Sequence, residues 1–368
     1  MRVTRLDIGG LRRFGQVTLA PGPTLNLITG DNGAGKTSIL EAMHLMAYGR
    51  SFRGRVRDGL IREGAPAVEI FVEWIEAAGR IRRAGLRHSG QSWEGRLDGA
   101  SVGHLGELCA ALAVVTFEPG SHGLVTGPAE TRRRLLDWGL FHVELDFLRV
   151  WRRYARALKQ RNALLKAGAR PAELDGWEAE LADSGETITR SREAYLQQWQ
   201  PLFATEAASL APALGTTSLT LQPGWRHEEM RLADALLLAR GRDQLAGFTS
   251  VGPHRADWKI GLSALPGREA LSRGQAKLTA LALLLSQARL HAELAGEWPV
   301  IALDDLASEL DRHHQARVVQ GLIDTGAQVF VTGTEAPAAF EHLTEAGGHP
   351  IARFHVEQGR LRAEGDAR

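Results

Sequence analysis

The sequence predicts an α/β fold with a mixed sheet, interrupted by a helical insertion. Short apolar runs of strand type, at 24–28, 67–74 and 113–117, share the first 120 residues with one early helix. From about Ala129 to Leu210 such runs disappear, and long segments rich in Leu, Ala, Arg and Glu follow. The strand–helix alternation resumes from Leu271.

Residues 24–28 read as a buried strand, and Ser38 to Met46 as the first helix. Between them stand Gly30, Asp31, Asn32, Gly33, Ala34, Gly35, Lys36 and Thr37, which match the phosphate-binding pattern G-x-x-x-x-G-K-[ST]. The glycines let consecutive N–H groups turn onto phosphate oxygens, and the helix N-terminus adds positive potential. Lys36 is expected at the β- and γ-phosphates, and the Thr37 hydroxyl on Mg²⁺, with Ser38 completing the site. Ala67 to Trp74 alternates as a half-exposed strand does, and Ala113 to Phe117 is a short buried one ending at a Glu118-Pro119-Gly120 turn.

In the helical segment, Arg132 to Lys166 and Glu173 to Ala208 predict a helical pair separated by Pro171 and Gly176. No heptad seam persists, so no long coiled-coil arm is encoded. Lys277 to Leu294 predicts a long apolar helix leading to the strand Val300 to Leu303. Arg312 to Ile323 predicts another, leading to the strand Gln328 to Val331. The expected organisation is a head in two parts, 1–125 and 216–368, around a helical lobe at 126–215 with a basic first half.

The strand Val300 to Leu303 ends in Asp304-Asp305. Asp304 is the expected metal-side carboxylate, and Asp305 is placed to orient or deprotonate an attacking water. About thirty residues earlier, Leu271-Ser272-Arg273-Gly274-Gln275 opens a helix, where a serine and a glycine form an anion site. Taken alone, Ser272 is a helix N-cap.

The net charge of +1 hides segregation: residues 131–170 carry eleven Lys and Arg against three acids, and acids dominate 173–186. A second basic stretch holds Arg50, Arg53, Arg55, Arg57 and Arg62. A basic field beside a nucleotide site suggests a polyanionic partner, with Arg53, Arg132, Arg133, Arg152 and Arg153 as candidate DNA contacts. Charge alone equally allows two helices that match a basic face to an acidic one. No stretch approaches the roughly 18 to 20 apolar residues of a membrane span, and the first residues read as a strand, so a cytoplasmic protein is expected. Cys109 stands alone and reads as a small buried side chain. His313 and His314 read as a solvated helix face, and His254 as structural.

The set resembles the ABC-type P-loop ATPases, and within them the SMC-like branch that acts on DNA. Leu271 to Gln275 is similar to their L-S-x-G-Q signature, and Ser308-Glu309-Leu310-Asp311 to their D-loop. Gly49 to Arg53, Phe117-Glu118-Pro119, Leu124 to Pro128, Arg132 to Asp137, Gly252 to Asp257, Asp304 to Asp311 and Val331 to Thr334 extend the likeness to the RecF-like family over nearly the whole chain. The resemblance implies an ABC-type head with a mixed sheet and a helical insertion lobe. It implies ATP and Mg²⁺ as cofactors, and Asp305, Lys36 and Ser272 in catalysis. Ser272, Gly274 and Gln275 would cap the γ-phosphate held by a second copy, giving an ATP-dependent homodimer. It further implies binding of double-stranded, gapped or junction DNA in recombinational repair, with RecR and RecO as partners. Asp305 stands where the superfamily has glutamate, Thr332-Gly333-Thr334 stands where it has a switch histidine, and no clear glutamine lies near Glu118; slow hydrolysis is expected. Other readings are a membrane transporter's nucleotide-binding subunit, an ATPase acting on a protein complex, and a non-hydrolysing scaffold. The single loop and signature and the basic insertion argue against the first two.

Overall fold

The computed structural model describes residues 1–54, 59–264, 271–337, 340 and 350–364, and the chain divides into two compact units. Unit 1 comprises Met1–Ser121 and Leu281–Arg368, and unit 2 His122–Ala280. The sequence expectation gave 216–280 to the head. The structure instead gives these residues to the helical unit, where Trp258 is covered, as described below.

Unit 1 opens with β1 (Arg2–Leu11) and β2 (Phe14–Leu19), an antiparallel hairpin turning at Arg12 and Arg13. Next come β3 (Leu25–Thr29) and α1 (Lys36–Tyr48), then β4 (Val68–Ile75), β5 (Ile81–His88), β6 (Trp93–Leu97), β7 (Ala100–Ser101), α2 (Leu105–Ala111) and β8 (Val114–Phe117). Strands β2-β1-β4-β5-β6-β7 make one antiparallel sheet. On β4 the alternation is realised: Val68, Ile70, Val72 and Trp74 are buried, and Glu69 is exposed.

In unit 2, α3 (Gly123–Thr126) and α4 (Ala129–Val143) precede α5 (Phe147–Lys166) and α6 (Pro171–Leu210). The expected single run 132–166 is broken at Glu144-Leu145-Asp146. Pro171 starts α6 where its missing N–H costs nothing, while Gly176 lies inside that helix and separates nothing. The chain then forms β9 (Thr217–Gln222), α7 (Leu232–Ala246) and β10 (Asp257–Leu262), with β9 and β10 paired antiparallel. Trp258 of β10 is fully buried, 5.4 Å edge-on to Trp199 of α6, and its indole N–H donates to the Arg132 carbonyl. That packing is why the 217–262 segment belongs to this unit.

Helix α8 (Arg273–Ala295) carries the chain back to unit 1, followed by β11 (Val300–Leu303), α9 (Leu306–Glu309), α10 (Arg312–Ile323), β12 (Val329–Thr332), β13 (Ile351–Glu357) and β14 (Arg360–Glu364). The second sheet runs β14-β13-β3-β12-β11-β8, parallel except for β14. The four residues of each of β8, β11 and β12 are buried, as expected of parallel strands covered on both faces. The main core joins Leu6, Ile8, Val72 and Trp74 of the first sheet to Phe330, Val300 and Phe354 of the second, with Ile39, Leu40 and Met43 of α1 in the same cluster. Helix α1 is buried nearly all round for this reason.

Among the described residues no helix is long and apolar enough to cross a membrane. Unit 2 is held by paired charges as well as apolar contacts. Arg161 is fully buried, donating to Glu178 at 2.9 Å, to Asp243 at 2.8 Å and to the Thr249 hydroxyl. Arg161→Ala would leave these acids buried without that cation, and removing one partner of such a cluster costs about 3–5 kcal/mol. A clear drop in melting temperature is expected, with faster amide exchange in α5–α7; an unchanged melting profile would contradict this account.

Candidate functional site

The order β3-β12-β11-β8 sets the carboxyl ends of four parallel strands side by side, where open α/β sheets bind ligands. The phosphate loop leaves the end of β3. Gly30 has φ 144°, and a side chain there would put its Cβ 2.2 Å from the Val356 carbonyl. Gly35, at φ 125°, leads into α1 without a side-chain cap, so the first-turn N–H groups of a 13-residue helix serve the loop. Lys36 is buried, and its ammonium donates to the Gly30 carbonyl at 2.5 Å and the Asp31 carbonyl at 3.0 Å. Burial lowers its pKa, opposed by Asp305, Asp304 and Asp31.

Asp304 ends β11 and is 3% exposed. Its Oδ1 accepts from the Thr37 hydroxyl at 2.9 Å and from the Thr332 hydroxyl at 2.7 Å. Burial raises its pKa, and the two hydroxyls act against the rise. Thr332 accepts in turn from the Asp305 N–H at 2.9 Å, so one hydroxyl links both carboxylate residues. Asp305 takes the left-handed conformation at φ 51°, uncommon for a residue with a side chain, and its Oδ2 accepts from Ser308 at 2.5 Å. A cavity of about 590 Å³ is lined by Asn32, Gly33, Gly35, Lys36, Thr37, Ser38, Asp304, Asp305 and Thr332, with Arg12, Arg13, Arg53, Gly59, Ile61, Glu63 and Pro119 completing its wall. The loop and both carboxylates, 267 residues apart, thus share one space. Hard oxygens at Thr37 and Asp304 within 2.9 Å of each other suit a divalent cation of the Mg²⁺ type.

Thr332, Arg12 and Arg13 enter this cavity without having been picked as site residues. Thr332 figured only as a departure from a histidine, although a hydroxyl at a strand end beside two aspartates is a usable signal. Arg12-Arg13 at a hairpin tip gave none, since tips are commonly basic.

The signature segment opens α8. Ser272 and Gln275 form a reciprocal capping box: the Gln275 N–H donates to Ser272 Oγ at 3.2 Å, and the Ser272 N–H to Gln275 Oε1 at 2.9 Å. Ser272 and Gly274 are exposed, and among the described residues nothing beyond its chain neighbours and its own helix backbone lies within 4 Å of where a Gly274 Cβ would stand.

The candidate DNA contacts fare unequally. Arg132 is buried in a bidentate pair with Asp257 at 2.7 and 2.9 Å, and it also donates to the Gly127 carbonyl. Arg133 donates to the Ala256 carbonyl. Arg153 pairs with Glu180 and Asp183 of α6. These three hold the fold, and the matching of basic to acidic helix faces accounts for much of the charge segregation. Arg152 is half-buried, whereas the Arg53 side chain is 45% exposed at the cavity wall. His254 is structural: Nδ1 meets the Tyr154 hydroxyl at 2.6 Å, Nε2 meets the Thr249 carbonyl at 3.0 Å, and burial lowers its pKa to about 4. A carbonyl only accepts, so Nε2 carries the proton and Nδ1 accepts from Tyr154. His314 bonds to Asp311, the N-cap of α10, and His313 is exposed. The half-buried Cys109 thiol is pushed up to about 11 by burial, the opposite direction from an activated nucleophile.

Comparison with known proteins agrees with this geometry. Residues 2–340 match the family model described as RecF/RecN/SMC N terminal domain. The chain is 65% identical over 365 residues to "DNA replication and repair protein RecF" of Stenotrophomonas maltophilia (strain R551-3), covering 98% of this chain and 99% of that protein. The protein of the same name from Pseudomonas paraeruginosa (strain DSM 24068 / PA7) is 37% identical, covering 98% and 97%. Among solved structures, that of the recombination mediator protein RecF-ATP in the RecFOR pathway superposes with TM-score 0.86 at 23% identity, covering 99% of this chain and 98% of that one. An SmcHead bound to the C-winged helix domain of ScpA gives 0.59 at 16%, covering 99% and 97%. Both share the fold.

Thr332→Val keeps the volume and removes the hydroxyl that ties Asp304 to Asp305. Outer partners of metal ligands are commonly worth about 10–100-fold in metal affinity. Mn²⁺ binding in the presence of ATP, followed by electron paramagnetic resonance, should weaken by about tenfold or more; wild-type affinity would remove Thr332 from the site.

Proposed function

The chain belongs to the RecF/RecN/SMC N-terminal domain family, on its RecF branch, and we propose that it is an ATP-binding protein of DNA replication and repair that hydrolyses ATP slowly. The observation that carries the nucleotide assignment is the hydrogen bond from Thr37 to buried Asp304, which puts phosphate loop and strand-end carboxylate in one cavity. The relatives' names supply DNA replication and repair as the setting.

The residues divide the work. Backbone N–H groups of Gly33 to Thr37 cradle the phosphates, and Lys36 exchanges the Gly30 and Asp31 carbonyls for phosphate oxygens. Thr37 and Asp304 hold Mg²⁺, which when bound offsets charge on the β- and γ-phosphates. Asp305 orients the attacking water; its short side chain and its bond to Ser308 restrict its reach, which fits slow turnover. A second copy supplies Ser272, Gly274 and Gln275 to the γ-phosphate, so ATP and not ADP closes a two-fold dimer. DNA is held through its phosphates, with Arg53 and the exposed Arg156, Lys159 and Lys166 as contacts. RecR and RecO are the expected protein partners, in keeping with the RecFOR pathway of the solved relative.

Sedimentation with ATP, with ADP and without nucleotide tests the switch: dimer is expected with ATP only, and equal dimer in all three rejects it. Lys36→Ala removes a charged donor worth about 1.5–3 kcal/mol, so ATP affinity should fall by roughly 10–150-fold, with loss of ATP-dependent DNA binding. Ser272→Arg should leave ATP binding intact and abolish dimerisation. Salt titration of DNA binding separates the arginines. Lys159→Ala should reduce the log–log slope by about 0.9, whereas Arg153→Ala should leave it unchanged. A shallower slope for Arg153→Ala would restore that residue to the DNA surface.

A further inference from the structure

We propose that Glu41 is a positioning residue of the nucleotide cavity: it holds the guanidinium groups of Arg12 and Arg53 at the cavity wall and thereby sets affinity for the phosphate chain, without touching the nucleotide itself. The inference rests on reading that cavity as the ATP site.

Glu41 stands in α1, five residues after Lys36, and is fully buried in a helix otherwise packed mainly by apolar side chains. A buried carboxylate is costly unless its oxygens are paired, and here they are. Arg12 donates to it through Nε at 3.1 Å and Nη2 at 2.8 Å. The Ser51 hydroxyl donates to Oε1, and Arg53 Nη1 lies 3.9 Å from Oε2. Ser51 Oγ accepts in turn from the Arg53 N–H at 2.9 Å. One side chain therefore joins the β1–β2 tip, the helix behind the phosphate loop, and the segment after that helix.

Both arginines line the same cavity as Lys36. Arg12 is placed there by a strained turn: its φ is 54°, and its N–H donates to the Leu60 carbonyl at 2.9 Å. A carboxylate that takes the Nε–Nη2 edge fixes the guanidinium plane and directs Nη1 to the other side. There Nη1 lies 3.8 Å from where a Cβ on Gly59 would stand, and Gly59 is itself a wall residue. Losing the Glu41 charge removes this anchor from both guanidinium groups, and the cavity then presents less ordered positive charge to a triphosphate.

The test is a double-mutant cycle on the full-length protein, with the ATP dissociation constant as readout and thermal melting alongside. Glu41→Gln keeps the shape and removes the charge; about tenfold weaker ATP binding is expected. Arg12→Ala should cost a similar factor. The double variant should bind ATP no worse than about twofold below Arg12→Ala alone, because Glu41 acts chiefly through Arg12, its bidentate partner, and only at 3.9 Å through Arg53. A residue that only stabilises the fold would lower the melting temperature while leaving ATP affinity unchanged, or would give losses that multiply; either result overturns the assignment. Should Glu41→Gln fail to fold, Arg12→Lys keeps the charge and discards the planar fork. About fivefold weaker ATP binding is then expected, and wild-type affinity overturns the proposal. Wild-type protein that binds no ATP would overturn the nucleotide reading, and the role of Glu41 with it. Normal wild-type binding, lost in Lys36→Ala and unchanged in Glu41→Gln, would overturn Glu41 alone.

Discussion

The constraint on which the site depends is the burial of one carboxylate. Asp304 lies at the end of a strand whose residues are all buried, where an ionised group is expensive. Two hydroxyls meet its Oδ1, and its N–H donates to the Phe117 carbonyl of the neighbouring strand. These partners come from α1, β12 and β8, so satisfying a single residue, side chain and backbone together, fixes the relative heights of three elements. The parallel register does the rest: Leu303 lies opposite both Val331 and Phe117, and Thr332 opposite Ile28. A shift of one residue in β12 would take the Thr332 hydroxyl off the carboxylate and turn it to the other face of the sheet. The sheet order is thus a requirement of the chemistry as well as of the core.

The helical unit shows the opposite use of charge. Arg132, Arg161 and Arg192 are buried, and each is met by carboxylates: Asp257, Glu178 with Asp243, and Asp137. Such pairs add little net stability over apolar packing, but each fork accepts only one geometry. Arg192 pairs with Asp137 through Nε and Nη2 while Nη1 holds the Pro253 carbonyl, which fixes α4, α6 and the 252–255 turn together. In a unit built from long helices, these contacts choose one register among several that hydrophobic stripes alone would permit.

That contrast explains what could be read from the sequence. The phosphate loop, β11 with its carboxylates, and α10 were legible because each is local: motif, apolar run and cap lie within a dozen residues. Charge pairing is not local. Arg161 meets Glu178 and Asp243, 17 and 82 residues away, and counting arginines gives no hint of partners. The 131–170 run therefore read equally as a polyanion surface or as a basic face matched to an acidic one, and Arg132 and Arg153 are of the second kind. Gly176 misled for a related reason: a glycine is a helix breaker only by propensity, and a 40-residue helix anchored by Leu174, Leu181 and Ile188 carries one easily. The assignment of 217–262 failed because a strand pair's ownership is decided by what its buried face meets, here Trp199 against Trp258.

The signature serine shows that a structural role and a functional one need not compete. Ser272 caps α8, which is what its position at a helix start would require in any protein. In that role its oxygen is an acceptor, filled by the Gln275 N–H. A hydroxyl has one proton and two lone pairs, so the cap uses a lone pair and leaves the O–H to be donated elsewhere. Gln275 is likewise held by the Ser272 N–H, which orients its amide without consuming the amide's own donors. With Gly274 adding no bulk, the exposed end of α8 offers a donor hydroxyl and the positive end of a 23-residue helix. The cap is thus the device that points the serine proton outward, toward an anion if one is brought there. Alanine at 272 would lose both roles together, but threonine would keep the cap and the donor while adding a methyl group. The two substitutions therefore separate helix capping from steric access to a phosphate.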